Sequence, residues 1–394
     1  MNIILSLTNM EMGGAQLYTI LLANEFQKKG HNVAIYVHQP DYIDYSLKKY
    51  VNKNIVIQTW CTNNVVRFFV WKINGFLKKF FNCSIIEYLN ERKFINFIKK
   101  FHPDIINSQM SYSDYLISKY IKKIKNKSFR FIVSTHGEYE LNVVDSNKAL
   151  EVIKVCDGII GGASKNLDHI NDNFNVQKKI MKIIRVGFSD QLKPVNNFNK
   201  LDLNIPDNDI VIGMVARGIP EKGWEELIIA FHKYNTLYNN STLLLIGKSQ
   251  YLSDTVKKYF HPKITHLNLN NSMEFLKYLN IIDIGVLPTY FTGESFPNIL
   301  VQYVFYQIPS IATDIGDIKE IISIKNNECG ILLKLNKDRK VSNEDILKAL
   351  IHLTENREYY NCLKSNCKKV KNLFEIKNVA EEYISFYERV ISNG

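Results

Sequence analysis

Short runs of β-branched and aliphatic residues alternate with longer stretches of helical periodicity along almost the whole chain, and this alternation limits the possible folds most sharply. A strand followed by a helix-length crossover can meet the next strand only in parallel, and a parallel sheet needs helices on both faces. In the first half, strands are predicted at 2–7, 32–37, 55–59, 105–108, 130–134, 158–161 and 182–185. The helix over 16–29 meets Gly30 where a stop signal is expected. In the second half, predicted strands at 210–215, 242–247, 264–267, 284–288 and 310–313 alternate with helices at 224–238, 253–259, 272–279 and 297–306. Helices at 343–354 and 379–391 close the chain. Between the halves, 191–209 breaks the rhythm with Pro194, Pro206 and several Asn and Asp residues, as a linker would. The expected class is α/β, with two doubly wound, Rossmann-like domains at 1–190 and 210–374. A length of 394 residues accommodates both.

Composition excludes several alternatives. A hydrophobic fraction of 46% with 23% charged residues is that of a globular protein, not a disordered or fibrous one. No apolar run approaches the ~18 residues of a membrane-spanning helix. Residues 1–7 lack the basic start of a leader and read as a buried first strand. The six cysteines (Cys61, Cys83, Cys156, Cys329, Cys362, Cys367) are scattered, without a C-x-x-C pair, which argues for a reducing compartment and against structural zinc. A cytoplasmic location is expected.

The net charge of +11 is unevenly spread. Residues 1–190 hold 26 basic against 16 acidic residues, and 65–130 alone hold 14 against 4. Such an excess calls for an anionic partner or acts as a solubilising surplus. The stretch 65–81 is the most pointed part. At 100° per residue Val66, Phe69, Val70, Ile73, Phe76, Leu77, Phe80 and Phe81 share one helix face, with Arg67, Lys72, Lys78 and Lys79 on the other. A basic, aromatic-rich helix of this kind suits an anionic membrane interface; the alternative is a core helix with snorkelling lysines. An anionic membrane surface is therefore an expected partner, and nucleic acid is not.

Ligands of doubly wound sheets bind beyond the carboxyl ends of the strands, so the loops there are the places to look for chemistry. After the first strand comes Gly13-Gly14-Ala15-Gln16, where paired glycines allow close backbone approach at a helix start. It is not G-x-G-x-x-G, so the dinucleotide fingerprint is missing. A second pair, Gly161-Gly162, follows a later strand, and His136 directly follows the apolar run 130–134. After 210–215 comes Arg217-Gly218-Ile219-Pro220-Glu221-Lys222-Gly223. Two cations at a glycine-bearing turn that opens a helix suit a diphosphate. After 284–288 comes Gly293-Glu294-Ser295-Phe296-Pro297-Asn298-Ile299, with Pro297 placed for a first helical turn and Gln302 two turns on from Glu294. Asp314-Ile315-Gly316-Asp317 forms a further turn at the same edge. The D-x-D spelling at Asp207-Asn208-Asp209 precedes a strand rather than following one, and reads as a turn, not a metal-diphosphate site.

Taken in order, Gly13-Gly14-Ala15-Gln16, His136, the Arg217…Lys222 loop and the Glu294 segment resemble the retaining glycosyltransferases of family four, over nearly the whole chain. That resemblance implies a GT-B fold with two Rossmann-like domains facing a cleft, and a last helix, about 375–394, that completes the first domain. It implies a hexose-type sugar moved from a nucleotide diphosphate sugar to a glycan or lipid-linked acceptor, in bacterial cell-surface polysaccharide synthesis such as lipopolysaccharide or capsule, on the inner face of the membrane. Arg217 and Lys222 would then neutralise the leaving diphosphate and Glu294 would bond the donor hexose. Gly13, Gly14, Gly247, Phe296, Pro297, Asn298, Ile299 and Gln302 would line the donor site, with Gln302 at the ribose. His136 would stand near the reacting carbon and Gln16 on the acceptor side. Neither a metal nor a cofactor is expected. The chain departs from the family in carrying Gln302 where a second Glu is usual, and Arg185-Val186-Gly187 where an Asn-Gly turn is usual. A nucleotide-sugar epimerase of the same fold and a non-catalytic binding protein are the other readings.

Overall fold

The computed structural model describes the chain except for residues 12, 138–145, 175–179, 193–197, 270–273 and 394. Two compact units form, one from Met1–Arg185 with Ile376–Gly394 and the other from Val186–Glu375. Residues 191–209 therefore fall within the second unit; Pro194 lies outside the described residues.

In the first unit the strands are β1 (Asn2–Leu7), β2 (Asn32–Val37), β3 (Val56–Thr59), β4 (Ile105–Ser108), β5 (Arg130–Thr135), β6 (Gly158–Gly161) and β7 (Ile180–Ile183). Between them run α1 (Gly14–Lys28), α2 (Asn64–Phe81), α3 (Ile85–Phe101), α4 (Ser111–Ile121), α5 (Ser146–Val155) and α6 (Ser164–Phe174). All the strands pair in parallel, in the order β3-β2-β1-β4-β5-β6-β7. The core packs Ile4, Phe94, Ile106, Phe131 and Val133. β7 lies two residues earlier than the predicted 182–185. As an edge strand it is only partly buried, so no apolar alternation fixes its register.

Beneath the carboxyl ends of β1 and β2 lies a buried polar cluster. His38 Nε2 lies 3.0 Å from Ser6 Oγ and its Nδ1 3.0 Å from Asn90 Nδ2, while the Tyr36 hydroxyl donates to Asn90 Oδ1 at 3.0 Å. With both ring nitrogens engaged, burial holds the His38 pKa down at about 3.

In the second unit the strands are β8 (Ile210–Val215), β9 (Ser241–Ile246), β10 (Ile264–Leu267), β11 (Ile284–Leu287), β12 (Ser310–Thr313), the hairpin β13 (Ser323–Ile324) and β14 (Asn327–Glu328), and β15 (Gly330–Leu333). Its helices are α7 (Trp224–Leu237), α8 (Gln250–Lys258), α9 (Asn298–Phe305), α10 (Lys319–Ile322), α11 (Asn343–Glu355) and α12 (Arg357–Val370). The main sheet is parallel throughout, in the order β10-β9-β8-β11-β12-β15. Its core gathers Trp224, Phe231, Leu243, Val286 and Leu350. The helix predicted over 272–279 is instead a 3-10 segment at Glu274–Ile281, and 272–273 lie outside the described residues. Its buried Leu276 and Leu279, followed by Ile282, recur every third residue, which is the 3-10 period. Asp209 of the D-x-D spelling lies before β8; its Oδ2 accepts from Thr242 and Lys263, each at 2.7 Å.

The last helix, α13 (Ile376–Ser392), returns to the first unit. Tyr383 and Tyr387 pack on Phe26 of α1, with ring centroids 6.2 and 5.8 Å away. A Cβ on Gly158 would come within 3.0 Å of Phe386 and of Val390, so this helix needs a bare backbone at the start of β6.

α2 reverses one part of its expected orientation. Arg67, expected on the outer basic face, is its one buried residue, while Val66, Phe69, Ile73, Phe76, Phe80 and Phe81 are exposed. Arg67 turns inward because its charge meets Asp41, with Nε 2.8 Å from Oδ1. The reading of α2 as a core helix is thereby overturned. Among the described residues no helix is long and apolar enough to cross a membrane.

The two depressed histidines of the first unit make stability depend on pH. His38, and His136 at about 4, stay neutral in the folded protein while their unfolded forms take up protons below about 6.5. The unfolded state then binds more protons, so stability falls as pH drops, by up to about 1.4 kcal/mol per pH unit for each group. Thermal melts from pH 7 to 5 should show a falling Tm, and His38→Gln should flatten the slope. A Tm independent of pH across this window would contradict the account.

Candidate active site

In each sheet the strand order reverses once, between β1 and β4 and between β8 and β11. Neighbouring loops diverge there and leave a crevice at the carboxyl edge. Part of the set singled out by sequence gathers at or beside these two places.

In the first unit, β1 leads to Asn9 and Gly13, β4 to Gln109 and Met110, and β5 to His136. Gln16 is buried, and its Nε2 donates to Asn9 Oδ1 at 2.7 Å. A Cβ on Gly13 would stand 2.5 Å from Gln16 Oε1, so the glycine keeps room for that side chain. Gly13 has extended backbone and caps α1 without a side chain, leaving first-turn amides open; Gly14 is the first helical residue.

His136 is held by a relay that begins in the sheet. Asn107 Nδ2 donates to the Ile132 carbonyl at 3.1 Å, which fixes the amide's orientation, because a carbonyl can only accept. Asn107 Oδ1 therefore accepts, from Gln109 Nε2 at 2.5 Å and from the Tyr387 hydroxyl at 2.8 Å. Gln109 Oε1 must then accept from His136 Nε2, at 2.9 Å. The imidazole thus carries its proton on Nε2 and presents a bare Nδ1. Burial lowers its pKa to about 4, so it is neutral at pH 7. Tyr18 of α1 meets the ring edge-on at 5.3 Å. Gln109 and Tyr387 went unnoticed in sequence, where neither sits in a motif; the one signal was Gln109's place directly after a strand.

In the second unit, the loops after β8 and β11 are tied together. The Tyr290 amide donates to the Glu221 carbonyl at 2.8 Å, and Trp224 Nε1 donates to the Arg217 carbonyl at 3.0 Å. Gly223 has φ +82°, and a Cβ there would be 2.3 Å from the Pro288 carbonyl oxygen. Only glycine serves both demands. This geometry brings Lys222 to Glu294 in a direct ion pair, both residues buried. Arg217 remains exposed, and both cations lie 5.1 Å from the Phe291 ring centroid. Phe291, also missed in sequence, forms a π-face under the charges. Gly316, at φ +53°, lets the turn after β12 pack on the Glu294 carbonyl, and the Asp317 amide donates to the Ser295 carbonyl at 2.8 Å.

The remaining expected donor residues are spread more widely. Pro297 is the N-cap of α9 rather than its first helical residue; Asn298 is exposed, Ile299 half-buried, and Gln302 buried one turn further on. Phe296 is buried, 6.1 Å from the Phe374 ring. Gly247 directly follows β9, where a Cβ would clash with the Ala216 carbonyl oxygen at 2.8 Å and with Trp224, so packing alone requires a glycine there.

Residues 12–189 match the family profile described as Glycosyltransferase Family 4, and 195–370 match that described as Glycosyl transferases group 1. The chain belongs to the family-four glycosyltransferases. Its fold is GT-B. Among solved structures, this glycosyltransferase is similar to HepE from Anabaena in complex with UDP, at 12% identity and a TM-score of 0.74 over 99% of this chain and 100% of that one. It is similar to sucrose-phosphate synthase from Thermosynechococcus elongatus, at 15% identity and 0.72 over 100% and 99%. It is also similar to WaaG, a glycosyltransferase involved in lipopolysaccharide biosynthesis, at 12% and 0.66 over 97% and 98%. Identities this low carry the fold and nothing of the substrate. No curated protein matches the sequence significantly.

The buried pair in this glycosyltransferase has a measurable signature. Lys222→Met leaves the Glu294 carboxylate buried and alone, and should cost about 3–5 kcal/mol of stability. Adding Glu294→Gln should return most of that loss. Urea unfolding of the single and double variants checks it, and additive losses would mean that the two charges are not coupled.

Proposed function

We propose that this glycosyltransferase is a retaining, metal-independent enzyme that moves a hexose-type sugar from a nucleotide diphosphate sugar to a glycan or lipid-linked acceptor in cell-surface polysaccharide synthesis. The observation that carries the reading is the Lys222–Glu294 pair beside Arg217 at the β8/β11 reversal. HepE, whose structures hold UDP and UDP-glucose, supports a nucleotide-sugar donor, and WaaG supports the polysaccharide context.

On this reading the donor diphosphate enters between Arg217 and Lys222, and its charge draws the Lys222 ammonium away from Glu294. The freed carboxylate accepts a hydrogen bond from a hexose hydroxyl. Arg217 and Lys222 oppose the charge that grows on the leaving diphosphate as the bond from the anomeric carbon to oxygen breaks. The acceptor oxygen forms its new bond on the same face, and its proton passes to the departing phosphate oxygen. His136, a weak base at a pKa of about 4, offers its bare Nδ1 as a hydrogen-bond acceptor to a substrate hydroxyl rather than removing that proton. Gln302 both donates and accepts, and so serves two ribose hydroxyls.

Glu294→Gln should lower kcat roughly ten- to hundredfold with little change in donor KM, because the charged bond matters most as the ring gains positive character. Donor turnover with and without candidate acceptors measures this, in buffer with and without chelator. Undiminished kcat in the variant would remove Glu294 from the chemistry, loss of activity in chelator would restore a metal, and an inverted product anomer by proton NMR would end the retaining assignment.

The exposed apolar side chains of α2, with Lys72, Lys78 and Lys79 among them, form the surface that we assign to the cytoplasmic face of an anionic membrane. Co-sedimentation with phosphatidylglycerol vesicles should fall as salt rises and should be lost on replacing the three lysines by Glu. Failure of the wild type to bind at low salt would overturn the assignment.

A further inference from the structure

We infer that a pocket beneath α2 in the first unit binds a pyranose unit of the acceptor glycan. The inference rests on the glycosyl-transfer reading and gives the acceptor's chemical class and its place. The cavity measures about 450 Å³, within the range of small-molecule sites and enough for a short saccharide. His38, Asp41 and Tyr42 follow β2 and Trp60 follows β3, so its floor lies at the carboxyl edge of the sheet. Arg67 and Trp71 of α2 stand over it.

Two features point to a sugar. The first is aromatic. Trp60 and Trp71, two of the chain's three tryptophans, line this one cavity. Trp60 is buried, whereas the Trp71 side chain is largely exposed on α2. The C–H face of a pyranose ring is apolar and flat, and it packs against such rings while its hydroxyls stay at the edge.

The second is an unmade hydrogen bond. Arg67 is buried; its Nη1 donates to the Cys61 carbonyl at 3.2 Å and its Nη2 to Asn64 Oδ1 at 2.6 Å. Its Nε lies 2.8 Å from Asp41 Oδ1, close enough to balance charge but out of line for a hydrogen bond. A buried N–H in that state costs stability unless something else accepts from it. Asp41 is half-exposed and free to accept beside it. A donor and an acceptor side by side fit neighbouring sugar hydroxyls, each of which both accepts and donates. An alkyl chain would satisfy neither group, and a phosphate would be repelled by Asp41. His38 forms wall only, since both its nitrogens are engaged.

The pocket is also joined to the site already described. The Met10 amide donates to the Tyr42 carbonyl and the Asp44 amide to the Met10 carbonyl, each at 2.9 Å. The rim of the pocket and the loop that leads to Gly13 are thus one hydrogen-bonded piece.

Tryptophan fluorescence of the full chain tests the proposal without any nucleotide. Titration with maltotriose, chitotriose and octyl β-glucoside should give a saturable change for at least one of them, with a Kd below about 10 mM. Asp41→Asn should weaken that binding about tenfold, and Trp71→Ala should weaken it at least as much. Circular dichroism and the affinity for UDP, GDP or ADP, which reads the second unit, verify that the variants fold. No saturable change with any saccharide, a change unaffected by both substitutions, or an equal response to 1-octanol would each overturn the proposal. Saccharide binding that persists while no nucleoside diphosphate binds would sink the transferase reading and leave the pocket standing.

Discussion

A parallel sheet buries both faces, so the chain must return across it through helices, and where the winding reverses two adjacent loops are forced apart. Each unit has one such reversal, and the candidate site residues depend on it. β1 and β4 deliver Gly13, Gln16 and Gln109 to one edge, and the neighbouring β5 adds His136; β8 and β11 deliver Arg217, Lys222, Phe291 and Glu294 to another. The groups that meet come from loops far apart in sequence, Lys222 and Glu294 by 72 residues and Gln109 and His136 by 27. The fold supplies the concentration.

Electrostatics then decides what the second edge can hold. Lys222 and Glu294 satisfy each other while buried, and Arg217 stays exposed above the same aromatic ring. On the proposed reading, an incoming diphosphate meets the exposed Arg217 and a Lys222 that can exchange partners. Gly223 and Gly316 make that arrangement possible, since both have positive φ and each touches a backbone carbonyl of the loop around Glu294 or of the strand end before it. In the first unit the corresponding device is neutral: a relay from the Ile132 carbonyl through Asn107 and Gln109 fixes one tautomer of His136, and Tyr387 of the returning helix α13 joins it.

Much of this architecture was legible in the sequence, because aliphatic runs and helical periods report burial directly. The strands at 2–7, 32–37 and 210–215 coincide with β1, β2 and β8 for that reason. What escaped had weak or misleading local signals. β15 is four residues long, and its Gly330 is set by the Ser310 carbonyl of another strand. α12 buries Tyr360, Leu363, Asn366, Cys367 and Val370, a face interrupted by an asparagine and set among lysines that look like loop. Arg67 was assigned outward from helical spacing alone, which cannot register a distant Asp41. Gln109, Phe291 and Tyr387 act through partners dozens to hundreds of residues away, and a single sequence does not display such pairs.

Amide hydrogen exchange with and without saturating nucleoside diphosphate, using UDP, GDP and ADP in turn, tests the central claim that the β8/β11 reversal holds the donor. Protection should concentrate in 216–223 and 289–302 with at least one of the three, and should be absent from 38–42 and 60–71. Protection confined to the first unit, or none in 216–223 with any nucleotide that binds, would contradict it.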